Sequence, residues 1–246
     1  MQKIIPLFIF LLCFGFNTLA QKPLHQAWNQ LLQKYVDENG WVDYRGFTED
    51  SALLNDYLTT LITSPPSRQW KRNEIISYWL NAYNAFTIQL IIRHPGIQSI
   101  RDIQKFHPTY ESSWDIPIAM IDGKRYDLNA IELHKLLIPY KDPRIHVALN
   151  CGAASCPALN QLAFSAHTLE SQLKNLSMKF LKDTTKNIIS KNNLKLSSIF
   201  NWYVKDFGDP SGLLRFIKKY GPEPRISKQA SIQYLAYDWK LNGHFD

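Results

Sequence analysis

Glu74-Ile75-Ile76-Ser77-Tyr78-Trp79-Leu80-Asn81-Ala82-Tyr83-Asn84-Ala85-Phe86-Thr87-Ile88-Gln89-Leu90-Ile91-Ile92-Arg93 carries no charge from Ile75 to Ile92, a run of 18 residues. A membrane span needs ~20 mostly apolar residues, so the length alone raises that reading. Asn81, Asn84 and Gln89 argue against it, because amides are costly in lipid. The stretch therefore predicts a central helix buried in protein. Ser77, Asn81, Asn84 and Ile88 fall on one face of that helix, at i, i+4, i+7 and i+11. A buried amide left unpaired costs on the order of 1–3 kcal/mol. The two asparagines must then either tie down a neighbouring loop or line a cleft.

The elements around this helix are shorter. Pro23 to Val36 reads helical, with Leu24, Trp28, Leu31, Leu32 and Tyr35 on one face. Trp41 to Tyr44 reads extended, and a second helix is expected from Glu49 to Ile62, stopped by Pro65-Pro66. Asp122-Gly123 between Pro117–Ile121 and Lys124–Tyr126 marks a hairpin with a type I′ turn. A helix is expected over Leu128–Leu137, with Asn129 and Glu132 as its capping box. Ile145–Leu149 reads as a short strand, and Thr168–Leu181 as an amphipathic helix. Ile188-Ile189 and Leu194–Leu196 suggest a second hairpin. Helices are expected over Ser198–Phe207 and Ser211–Tyr220, and Tyr234–Leu241 reads extended. The sum is a single α+β domain, mainly helical, with a small mixed or antiparallel sheet and two hairpins.

Composition excludes several classes. Thirteen prolines and ten glycines in 246 residues rule out collagen and low complexity. Aromatics at 13% argue against disorder. Three cysteines exclude a disulfide-stapled mini-domain. Residues 1–20 have a short basic start, an apolar middle and a small-residue exit at Thr18 and Ala20. That pattern is a secretory signal peptide, too short for a stable span. Its removal leaves residues 21–246, lowers the net charge from +7 to +6, and takes Cys13 with it. The expected location is periplasmic or secreted. Lys174, Lys179, Lys182, Lys186, Lys191 and Lys195 read either as a solvated face or as a weak attraction to anionic envelope polymers. No nucleic-acid recognition motif is present, so no nucleic-acid partner is expected.

Cys151 and Cys156 lie within one six-residue segment, where a disulfide would close a loop too small to stabilise much. Their presence invites a chemical explanation. His146-Val147-Ala148-Leu149-Asn150-Cys151-Gly152 runs an expected strand into a glycine turn. If a helix began there, its amides would favour a Cys151 thiolate. A nucleophilic cysteine also needs a base and an oxyanion donor. His146 is the first candidate base, although five extended residues put it ~16 Å from Cys151 unless the chain bends at Asn150. His134 is the second, Glu132 the candidate orienting acid, and Asn150 the amide donor. Asn81, Tyr83, Asn84, Asn150 and Asp238 are the expected substrate-binding residues. The bland alternative is that Cys151 is a small buried hydrophobe. Zinc is disfavoured because Cys-x4-Cys lacks the usual spacing and a second pair. No cofactor is expected.

Val42-Asp43-Tyr44, Trp79 to Ala85, Asp142 to Pro157 and Tyr237 to Asn242 together resemble the domain of unknown function 547 family. Ile131-Glu132, Trp202-Tyr203 and Asp206-Phe207 also fit. The resemblance spans about residues 40–242 and implies no settled activity. Leu133 stands where the family pattern has histidine, with His134 one place on. Glu132, His146, Cys151 and Cys156 match the pattern. Their combination is consistent by resemblance with a Cys-His-Glu site, and the leading expectation is an exported hydrolase or acyltransferase acting on an envelope peptide or small molecule. A non-catalytic binding module and a redox role for the two thiols are the alternatives.

Overall fold

In a computed structural model, residues 24–223 and 225–245 are described. The expected signal peptide at residues 1–20 lies outside them. Helix α1 (Gln26–Tyr35) buries Trp28, Leu31, Leu32 and Tyr35, the stripe its periodicity predicts. Strand β1 (Val42–Asp43) leads into α2 (Tyr44–Glu49), whose N-terminus is capped by the Asp43 carboxylate on the Gly46 amide at 2.8 Å. Then come α3 (Ser51–Thr63) and the long α4 (Arg72–Ile92).

Every residue of α4 from Ile76 to Ile92 is buried. The helix is enclosed by protein, and no helix among the described residues is long and apolar enough to cross a membrane. It packs on α2 and α3 and on the segment after residue 131. The Gln89 amide reaches Asn55 on α3 at 2.7 Å, and the Tyr78 hydroxyl donates to the Leu61 carbonyl at 2.7 Å. Asn81 both donates to the Phe164 carbonyl and accepts from the Phe164 amide, each at 2.9 Å.

Strands β2 (Ala119–Ile121) and β3 (Lys124–Tyr126) form the expected hairpin, with φ of +50° at Asp122 and +68° at Gly123. The helix that follows departs from expectation. A short α5 (Leu128–Ala130) is capped by Asp127, not Asn129, whose amide instead binds Asp115 at 2.6 Å. From Ile131 to Leu137 the coil is π-helical, before a final turn α6 (Ile138–Tyr140). Its buried residues are Ile131 and Glu132, then Leu136 and Leu137. That five-residue repeat turns Glu132 inward, where an ordinary cap would have left it at the surface.

Ile145–Leu149 is not a strand. Pro143 to Val147 is a 3₁₀ helix, opened by the Asp142 side chain on the Arg144 amide at 3.0 Å. Proline in the first turn and a capping aspartate favour that start. Helix α7 (Leu169–Lys182) covers this segment with its apolar face. Strands β4 (Ile188–Ile189) and β5 (Asn193–Leu196) form the second hairpin. Helix α8 (Ile199–Trp202) is shorter than predicted, and α9 (Asp209–Tyr220) begins with proline in its first turn. Strand β6 (Ser231–Tyr234) pairs parallel with β5, making a mixed three-stranded sheet. Strand β7 (Gly243–His244) pairs parallel with β1 and brings the C-terminal segment back to the start of the domain.

Asn81 is fully buried and holds both backbone groups of Phe164. Asn81→Ala is expected to lower the unfolding free energy by on the order of 1–3 kcal/mol for each group left unpaired. Urea denaturation checks this, and an unchanged midpoint would show that the loop finds other partners.

Candidate active site around Cys151

The Cys151 loop is held from both sides. Asn84 of α4 donates to the Ala148 carbonyl at 3.0 Å and accepts from the Asn150 amide at 2.9 Å. Asn150 donates to the Pro157 carbonyl at 2.8 Å, and its carbonyl accepts from Gly152 at 3.0 Å and from Asn242 at 3.2 Å. Gly152 sits at φ +81°, and a Cβ there would lie 2.5 Å from Ile91. Only glycine suits that conformation and that contact. The C-terminal segment runs along the loop: Asn242 N to Gly152 O is 3.0 Å, Ala154 N to Lys240 O is 2.7 Å, and Ser155 N to Asp238 O is 3.2 Å. This pairing carries Tyr237 to the thiol, with Oη 3.4 Å from Cys151 Sγ.

Cys151 opens into a pocket of about 240 Å³. His146, Glu132, Tyr83, Asn129 and Cys156 also line it, with Trp114, Trp202, Tyr203, Tyr237 and Trp239. Both cysteines are free thiols. The Cys151 amide donates to Cys156 Sγ at 2.9 Å. The Cys151 thiol is held below the ordinary value of 9.0, chiefly by hydrogen bonding from Cys156, then from Tyr237 and the Ala153 backbone. Burial and the nearby Glu132 oppose this. Cys156 goes the other way: burial first, then its neighbour, push its thiol well up. Cys151 is therefore the more acidic thiol of the pair.

The His146 ring lies on Tyr203, with centroids 4.1 Å apart, and its Nε2 bonds Asp206 Oδ2 at 2.9 Å. Burial lowers its pKa, against the pull of Asp206, so the ring is neutral near pH 7. A neutral ring with Nε2–H on a carboxylate presents its lone pair at Nδ1. Among the described residues Nδ1 has no hydrogen-bond partner. Burial raises the Glu132 carboxyl and Asp206 adds to this, while the Tyr203 and Tyr83 hydroxyls oppose it.

Three of the expected residues, Cys151, His146 and Glu132, thus border one pocket. They are not linked as the sequence suggested. No hydrogen bond joins His146 to Cys151, and the acid bonded to His146 is Asp206 rather than Glu132. The chain after Cys151 is a turn and not a helix start, so the thiol is acidified by Cys156, Tyr237 and Ala153 rather than by helix amides. Tyr83 lines the pocket as expected. Asn81, Asn84 and Asn150 do not; their amides are spent on backbone partners, which is the loop-fixing alternative. Asp238 is exposed and faces a separate groove, and His134 is exposed beside the β2–β3 hairpin. Among the described residues no three His, Cys, Asp or Glu side chains converge as a metal site. Asp206, Tyr203 and the tryptophans were missed as site residues. Trp202-Tyr203, Asp206 and Tyr237-Asp238-Trp239 stood in the resembling motifs, but no local spacing ties them to Cys151.

Residues 67–181 match a family described as "Protein of unknown function, DUF547". The resemblance holds over that stretch, just under half of the chain, and it includes Glu132, His146, Cys151 and Cys156. Val42–Tyr44 and Tyr237–Asn242 lie beyond it. No curated protein and no solved structure matches the chain.

Two measurements bear on this geometry. Iodoacetamide should label Cys151 before Cys156, with a pH midpoint below 9.0. Tyr237→Phe and Cys156→Ala each remove a donor to the thiolate and should move that midpoint upward; superimposable profiles would contradict the arrangement. Glu132 gives a stability signature. Its folded pKa lies above the ordinary 4.5, so the unfolded chain ionises first as pH rises. Stability is therefore lost upward from pH 4.5 towards the folded value. Glu132→Gln should gain on wild type across that window in urea denaturation at a series of pH values, and a constant difference between them would refute the burial effect.

Proposed function

We propose that this protein is an exported thiol-dependent hydrolase or acyltransferase with Cys151 as nucleophile. The observation that carries the reading is a cysteine favoured as thiolate, facing a pocket that also holds a neutral histidine braced by a carboxylate. Export rests on the basic, apolar and small-residue pattern of residues 1–20. The expected substrate is an envelope peptide or a small acyl compound.

The chemistry runs in two halves. The Cys151 thiolate attacks the acyl carbon, a C–S bond forms, and the leaving amine or alcohol departs with a proton. Glu132, whose burial favours the protonated form, supplies that proton. Water or a second acceptor then attacks the thioester. His146 Nδ1 takes its proton, the C–S bond breaks, and Cys151 leaves as thiolate. The proton on His146 returns to the Glu132 carboxylate through solvent, restoring the starting state. Asp206 holds the ring in the tautomer this requires, as the acid does in serine and cysteine triads.

The second reading is a binding module using the same pocket, and the half-exposed Trp202 at its wall favours it. The exposed lysines of α7 and β5, among them Lys174, Lys182 and Lys195, would add weak attraction to anionic envelope surfaces. Lys179 and Lys186 are already engaged, by the Glu38 carbonyl and by Asp183.

p-Nitrophenyl acetate tests the enzyme reading. A burst of nitrophenol and an acetyl adduct on Cys151 are expected. Cys151→Ser should abolish both, and His146→Ala should slow deacylation on the order of 10²-fold or more. Equal turnover by wild type and Cys151→Ser would leave the binding module.

A further inference from the structure

We propose that the pocket over Cys151 takes a ligand or substrate bearing an alkylammonium group, held among the rings of Trp114, Trp202, Tyr237 and Trp239 with Glu132 in the same lining. This rests on the same site as the thiol-enzyme reading and names its substrate class, but binding does not require Cys151 to react.

The sign of the lining carries the inference. The chain holds 28 Lys and Arg against 21 Asp and Glu, yet neither Lys nor Arg lines this pocket. No lining group is cationic at neutral pH: burial keeps the histidine neutral, Cys151 is negative when ionised, and Glu132, which burial pushes towards its protonated form, turns negative when a cation beside it favours the carboxylate. The walls are aromatic. Trp202 and Trp239 stack at 5.7 Å with an 18° interplanar angle, and Tyr237 lies 4.8 Å from one and 4.6 Å from the other. Trp114 stands edge-on to Trp239 at 5.9 Å.

Aromatic faces are electrostatically negative and attract cations. Trp239 already does so in the fold, with the Arg101 guanidinium 5.1 Å from its centroid, although Arg101 does not line the pocket. An anion entering here would leave water for a lining with no cationic side chain, beside a thiol shifted towards its anionic form. A neutral apolar ligand would gain from burial but nothing from the sign. An alkylammonium gains from both, and its presence would further favour the Cys151 thiolate. At about 240 Å³ the pocket admits a group the size of a trimethylammonium with a short tail. Trp202, 48% exposed, is the wall residue whose removal least threatens the fold.

The experiment compares three probes of one shape by calorimetry on the folded protein: choline, its uncharged isostere 3,3-dimethylbutanol, and the anion 3,3-dimethylbutanoate. Choline should bind about 3- to 30-fold tighter than the isostere, and the anion weakest. Trp202→Ala and Glu132→Gln should each weaken choline more than the isostere. Equal or tighter binding of either other probe, or no saturable choline binding, overturns the proposal. Cys151→Ser separates it from the enzyme reading. Choline binding retained in that variant supports the cation site even if Cys151 never acylates. Acylation of wild type without choline selectivity leaves the nucleophile standing and removes the substrate class.

Discussion

The buried amide of Asn84 is the interaction on which the rest of the site depends. It takes the Ala148 carbonyl and the Asn150 amide together, and so locks the chain just before Cys151 against the central helix. Asn150 passes the constraint to Gly152, Pro157 and Asn242. Asn242 accepts from the Tyr44 hydroxyl at 2.6 Å, which ties in α2. These groups lie in the interior, where an unmet polar atom is costly, so each one limits the paths open to the next. The network makes a rigid floor from residues separated by as many as 198 positions.

That floor lets burial act differently on neighbouring groups. Cys151 and Cys156 are five residues apart and donors reach both sulfurs, but hydrogen bonding is the larger effect at Cys151 and burial the larger at Cys156. Glu132 is pushed towards its neutral form and His146 is kept neutral, the one by loss of water and the other by loss of water against a nearby carboxylate. Titratable groups driven apart by their surroundings are how one site holds an acid, a base and a nucleophile at the same pH.

The parts of the fold that were legible are those set by short-range rules. Asp122-Gly123 turns as its backbone freedom demands, and α1, α4 and α7 follow their apolar patterns. The failures have equally local causes. Ile145–Leu149 is apolar enough for a strand, but Asp142 and Pro143 start a 3₁₀ helix instead. Asn129 and Glu132 carry the spacing of a capping box, yet Asp127 takes the cap and the following coil widens. Glu132 therefore points into the site, and the acid at His146 is supplied from 60 residues away by Asp206.

The sequence by itself determined the buried central helix, the two hairpins and the α+β class, and it named Cys151, His146 and Glu132, which border one pocket. Residue type and short spacing carry that information, because they govern burial, turn geometry and reactivity locally. The tertiary structure decided which donor meets which acceptor. It gave the asparagines to the backbone, Asp206 to His146, and Tyr237 to Cys151. It also gathered tryptophans from three segments into a wall free of lysine and arginine. Those pairings arise from packing between distant segments, where a hydrogen bond of 3 Å or a ring contact of 5 Å has no signature in local spacing.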